Sequence, residues 1–177
     1  MVELGLQTIH DSTAKTIRRG YDKAVFLDGY TRLKKLAEQC GGTSPKGYGR
    51  LSVGIHIING LPGEDRTMML ETASAVADME PDLVKIHLLH ILKGTDMAGL
   101  YESGSYIPME REEYCEIVCR QLEILPEDTI IGRITGDGMA DVLLAPQWSR
   151  RKTEVANTID KMQAGEDTWQ GKIRNTK

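Results

Sequence analysis

Three apolar segments of this chain carry polar side chains at every second position. In the first, Glu3, Gly5 and Gln7 alternate with Val2, Leu4 and Leu6. In the second, Ser52, Gly54 and His56 alternate with Val53, Ile55 and Ile57; in the third, Lys85 and His87 alternate with Val84, Ile86 and Leu88. A carboxylate, a carboxamide, two imidazoles and an amine can hold a polar ligand or pass protons to one. Alternate residues of a strand share a face, so the five converge if the segments are neighbours. Burying such groups unpaired is costly, and a cavity between the segments is the economical reading. An antiparallel sheet with one wet face alternates in the same way and remains open as an alternative.

The other candidates are weaker. Asn59-Gly60-Leu61-Pro62-Gly63-Glu64 joins a strand to a helix, where glycines admit a ligand to the backbone and the helix start offers N–H groups. Gly136-Asp137-Gly138 is a shorter turn of the same kind. His87 and His90, three apart, face opposite ways on a strand, which argues against a shared metal. Cys115 and Cys119, four apart on a helix, read as core residues of one helical face, as do Met68 and Met69. A Cys-x-x-x-Cys-x-x-Cys cluster motif would need a third cysteine where Leu122 stands, so no metal site is expected.

The elements that must position these residues alternate as strand and helix. Strands are expected near 2–6, 51–58, 83–89 and 129–135, with helices near 12–18, 23–39, 65–79, 110–125 and 149–164. Asp11 or Ser12 is the expected cap of the first helix, and Asp65 of the third. Residues 41–49 read as a loop, the stretch after Leu89 as irregular through Gly104, and 167–177 as a loose tail. Helix-length connections favour parallel strands and an α/β fold. With 40% hydrophobic residues but 5% aromatic and a single Phe among 177, the core must rest on aliphatic side chains. That suits layered α/β packing better than a β-sandwich.

Twenty-six acidic and 22 basic residues give a net charge of −4, which argues against a broad nucleic-acid footprint. Lys93, Arg111, Arg133, Arg150, Arg151 and Lys152 offer a local basic rim. No window reaches the roughly 18 apolar residues of a membrane span. The start, Met1-Val2-Glu3-Leu4-Gly5, has neither the basic nor the apolar region of a signal peptide, and the three cysteines make no disulfide framework. A cytoplasmic location is the expectation, with no membrane partner.

Several runs resemble the second half of the radical S-adenosylmethionine (SAM) core. They are Glu3-Leu4-Gly5-Leu6-Gln7-Thr8, Arg19-Gly20-Tyr21, Gly54-Ile55-His56-Ile57-Ile58-Asn59-Gly60-Leu61-Pro62-Gly63-Glu64 and Lys85-Ile86-His87-Leu88-Leu89. Towards the end, Arg133-Ile134-Thr135-Gly136-Asp137-Gly138, Leu144-Ala145-Pro146-Gln147-Trp148 and Asp167-Thr168-Trp169-Gln170-Gly171-Lys172 look like the C-terminus of a bacterial Fe–S oxidoreductase family. That family is similar to the Elongator-like and oxygen-independent coproporphyrinogen oxidase branch.

The resemblance implies a partial (βα) barrel over 1–142, with mostly parallel strands and outer helices, and a C-terminal helical extension over 143–177. It implies that a full-length parent binds SAM and a 4Fe–4S cluster and cleaves SAM reductively to a 5′-deoxyadenosyl radical. Glu3 and Gln7 then fall among lumen residues that reach SAM, with His56 and Lys85 on the same lumen face. Arg19 falls where a basic residue meets the SAM carboxylate, Ile58 and Gly60 near the adenine, and His87 and Leu88 beside it. The cluster loop and the first three strands of the core, roughly 90 residues, have no counterpart here. The chain is therefore expected to be inactive alone, to carry no cofactor by itself, and to self-associate through its open barrel edge. The branch also contains proteins that act on tRNA, making RNA a candidate substrate by analogy. The rival readings are a stand-alone adenosyl-binding module and a structural, partner-binding module.

Overall fold

The computed structural model describes residues 1–39, 51–136 and 141–174. Strand β1 (Val2–Gln7) pairs in parallel with β2 (Val53–Asn59), and β2 with β3 (Leu83–Leu88). Strand β5 (Ile130–Arg133) lies parallel on the far side of β3, giving the order β1-β2-β3-β5. Among the described residues the sheet is open, with β1 and β5 as its edges. The link into β3 is tied to the sheet by Asp82, whose carboxylate accepts from Val53 N at 2.8 Å and whose N–H donates to Val53 O at 3.0 Å.

The apolar set of each strand faces helices. Val53, Ile55, Ile57, Val84 and Ile86 are at most 1% exposed. They join one core with Phe26 and Tyr30 of α2 (Lys23–Gln39), Met69 and Val76 of α3 (Arg66–Asp78), and Tyr114, Ile117 and Val118 of α5 (Arg111–Ile124). Val155 and Ile159 of α6 (Lys152–Gly165) complete it. Each such side chain contributes about 1.5–3 kcal/mol on burial. Helices thus cover one face of the sheet and leave the other to the polar set, as in one wall of a barrel.

Side-chain caps mark some of the helix starts. Asp65 caps α3, its Oδ1 accepting from Met68 N at 2.9 Å. Helix α1 (Asp11–Thr16) departs from the expected capping. His10 takes the cap position without a side-chain bond, while Asp11 accepts instead from Lys23 N at 2.8 Å and fastens the start of α2.

The stretch after Leu89 is more ordered than its composition implies. It forms β4 (Ile91–Leu92) and α4 (Asp96–Glu102), the latter capped by Thr95. β4 pairs antiparallel with β6 (Leu143–Ala145), just before the 3₁₀ turn Gln147–Arg150. The expected loose tail is fastened as far as residue 174: Gly171 N donates to Leu122 O at 3.0 Å and Ile173 N to Glu123 O at 3.1 Å. The expected loop at 41–49, Cys40, and two residues of the Gly136-Asp137-Gly138 turn lie outside the described residues.

Candidate functional site: a polar sheet face and the strand ends above it

β1, β2 and β3 bring Glu3, His56 and Lys85 together, although they are far apart in sequence. Lys85 Nζ donates to Glu3 Oε2 at 2.5 Å, and His56 Nε2 donates to the same oxygen at 2.6 Å. These two hydrogen bonds, Lys85 first, hold the Glu3 carboxyl below its usual range. The His87 ring lies against that of His56, centroids 5.1 Å apart. Burial, assisted by His56, Arg133 and Lys85, lowers the His87 imidazole to about 4 and keeps it neutral near pH 7. Glycine makes room on this face: a Cβ at Gly5 would stand 2.5 Å from the Gln7 amide nitrogen. Gln7 thus folds back over Gly5, from a left-handed backbone of φ 68° at an irregularity in the β1–β2 register. A strained non-glycine residue at the end of a strand is a feature that collects at ligand sites.

The C-terminal strand ends, where open parallel sheets hold ligands, carry the other candidates. Arg19 donates to Leu6 O and to the Tyr21 hydroxyl, and its guanidinium lies 4.2 Å over the Tyr21 ring. The Tyr21 hydroxyl in turn donates to Gly5 O at 3.2 Å. Arg19 therefore closes the end of β1 next to Gln7.

The Ile58–Gly60 turn is held from below by a buried amide pair. Asn59 Nδ2 donates to Gln121 Oε1 at 2.9 Å, and Gln121 Nε2 donates to Asn59 Oδ1 at 2.8 Å and Met69 O at 3.2 Å. Tyr106 donates to Gly60 O. Beyond the turn, burial raises the Glu64 carboxyl while Thr8 and Thr13, in the loop and helix after β1, act to lower it, and its buried Oε1 has no hydrogen-bond partner. Ile58, Leu61, Leu89, Met97 and Leu100 line a mainly apolar groove of about 560 Å³ at these strand ends, in the size range of small-ligand sites. The Arg18–Asp96 ion pair, at 2.7 Å, links two residues of its lining.

Glu3, Gln7, His56, Lys85 and His87 thus belong to one polar face, with Arg19, Ile58 and Gly60 at its upper end. Leu88 does not join them. It is 4% exposed and packs in the core with Val84 and Ile86, as the two-residue period requires. Tyr21, Tyr106 and Gln121 were not expected as supports. Gln121 had a signal: it is a polar residue in the helical stripe Tyr114–Val118–Gln121–Leu125. Cys115 and Cys119 face α6, their thiols donating to Val155 O and Ile159 O, and burial pushes both up to about 11. Among the described residues no group of three or more His, Cys, Asp or Glu side chains could hold a metal. No helix among them is long and apolar enough to cross a membrane.

Residues 81–164 match the family model of the Radical_SAM C-terminal domain. Over those residues the chain is similar to the C-terminal domain of radical SAM proteins. It is 45% identical over 172 residues to the uncharacterized protein YtqA of Bacillus subtilis, covering 97% of this chain and 49% of that protein. It is 29% identical over 146 residues to a tRNA uridine(34) acetyltransferase of Methanocaldococcus jannaschii, covering 81% of this chain and 25% of that one. The structure of the Methanocaldococcus infernus Elp3 with an N-terminus deletion superposes with a TM-score of 0.70 at 25% identity, over 91% of this chain and 36% of that one. The chain spans about half the length of the first curated relatives it matches. Within the radical SAM fold, the four-stranded sheet is an open wall rather than a closed barrel.

Proposed function

We propose that this chain is the adenosyl-facing wall of a radical SAM core, with the iron–sulfur half supplied by the remainder of a longer protein. The observation that carries this reading is the convergence of Lys85 and His56 on one oxygen of Glu3, across three parallel strands and opposite the packed core. Such a face has no role in holding the helices and suits a polar ligand. Glu3, Gln7, Lys85, His56 and His87 would meet the polar part of SAM, Arg19 its carboxylate, and Ile58 with Gly60 the adenine at the apolar groove. Leu88 would act from behind, by holding β3 in the core.

The chain's own residues do not fit the cluster. The two described cysteines are buried on α5 with raised thiols. Bound at its cluster, SAM would supply a 5′-deoxyadenosyl radical; what this chain supplies is orientation of the adenosyl group and a water-poor wall. Alone, it is inactive. An RNA substrate is supported by the similarity to the tRNA uridine(34) acetyltransferase. β1 has no strand partner on its outer edge among the described residues, which supports self-association there when the chain is alone.

Two measurements test this reading. After anaerobic reconstitution, iron and sulfide analysis is expected to find no stoichiometric cluster, and a stable chromophore near full occupancy would overturn the division of labour. In the full-length parent, Glu3→Ala and Arg19→Ala are expected to weaken SAM binding in calorimetry more than they lower the melting temperature. Unchanged affinity with a large loss of melting temperature would reverse the assignment.

A further inference from the structure

A buried polar atom without a hydrogen-bond partner asks for an explanation. Four such atoms occur among the described residues: Glu64 Oε1 in the loop after β2, and His87 Nε2, His90 Nε2 and Thr135 Oγ1. The last three lie at or just beyond the C-terminal ends of the neighbouring strands β3 and β5. Lys85 pairs with Arg133 across β3 and β5. Two residues further on in β3, His87 shares the face of Lys85, and Thr135 stands in the bend two residues after β5 ends at Arg133. Thr135 is only 7% exposed. His90 follows β3, and its ring packs against Gly136 so closely that a Cβ there would lie 2.7 Å from Cε1. The glycine is what lets the imidazole approach the end of β5.

His56, Arg133 and Lys85 act on His87, and Lys152 of α6 acts on His90. The nearby carboxylate, Glu3, is already engaged by His56 and Lys85. A neutral imidazole presents one N–H, and a hydroxyl rotates to donate. Two imidazoles and a hydroxyl, backed by cations, form a donor set for an oxyanion.

We propose that His87, His90 and Thr135 form a binding site for a phosphate or carboxylate group at the C-terminal ends of β3 and β5. The inference goes beyond the adenosyl reading, which assigns nothing to His90 or Thr135. Anion binding favours the imidazolium form, so affinity rises as pH falls towards the histidine midpoints.

The chain has four histidines, so imidazole NMR can follow each while inorganic phosphate, and in parallel acetate, is added. Phosphate is expected to shift His87 and His90 together and to raise the His87 midpoint by about one pH unit or more. Thr135→Val keeps the side-chain shape and is expected to weaken phosphate binding roughly tenfold, whereas Thr135→Ser retains it. Should Thr135→Val not fold, His90→Asn reads the same loss. A preference for phosphate over acetate identifies a phosphate-bearing ligand, and equal affinity identifies a carboxylate. No imidazole response at saturating phosphate, or wild-type phosphate affinity in folded Thr135→Val or His90→Asn, overturns the proposal.

Discussion

Replacing Gln121 by Leu tests how the Ile58–Gly60 turn is held. Gln121 is fully buried and Asn59 is 1% exposed, so water cannot replace what the substitution removes. Leu fills a similar volume but strands both polar atoms of the Asn59 amide, which otherwise bond Gln121 at 2.9 and 2.8 Å. A stranded buried donor or acceptor costs about 1–3 kcal/mol, so the pair costs about 4 kcal/mol. For a domain of this size that corresponds to a melting temperature lower by about 8–16 °C.

The double variant Asn59→Leu/Gln121→Leu removes both amides and leaves neither stranded; only the longer Gln121 contact to Met69 O, at 3.2 Å, is lost without replacement. It should be more stable than the sum of the single changes by roughly 2 kcal/mol. Urea unfolding followed by circular dichroism reads all three. A Gln121→Leu loss below about 1 kcal/mol, or strict additivity in the double variant, would refute the reasoning.

Other outcomes follow from the same structure. His87, at about 4 in the folded chain against about 6.5 unfolded, takes up its proton only on unfolding across that interval. In phosphate-free buffer, stability should therefore fall as pH drops through this window, by up to on the order of 3 kcal/mol, and His87→Gln should flatten the loss in pH-dependent melts. Cys115 and Cys119, buried with thiols near 11, should react with a thiol reagent far more slowly in the folded chain than in denaturant. Asp65→Ala removes the cap on α3 and should cost about 1 kcal/mol, read by urea titration.

Much of the wall was legible in the sequence, for physical reasons. Val53, Ile55 and Ile57 opposite Gly54 and His56 is a period-two pattern long enough to define both strand and face, and the polar face emerged from it. The same period argues against Leu88 as a ligand contact, because it shares parity with Val84 and Ile86; the resemblance alone placed it in the site. β4 and β6 escaped because two or three residues, Ile91–Leu92 and Leu143–Ala145, are too few to show a period. Their pairing is tertiary. The order of residues 167–174 has the same origin: Thr168 donates to the buried Glu123, and Gln170 Nε2 to Thr129 O at 2.8 Å, contacts that no local composition reveals. The His10 start of α1 reflects competition for Asp11, whose carboxylate serves α2 instead. The left-handed Gln7 could not be read from its residue type, since glutamine seldom adopts that conformation.

Mapping SAM onto the chain by amide and methyl chemical shifts tests the central claim most directly. With millimolar SAM and no iron present, the account predicts that the largest shifts fall on Glu3, Gln7, Ile58, Gly60 and His87, that the core positions Val53, Ile55 and Ile86 stay nearly still, and that Glu3→Gln abolishes the response. Shifts concentrated on the helical face, or a response unchanged in Glu3→Gln, would contradict it.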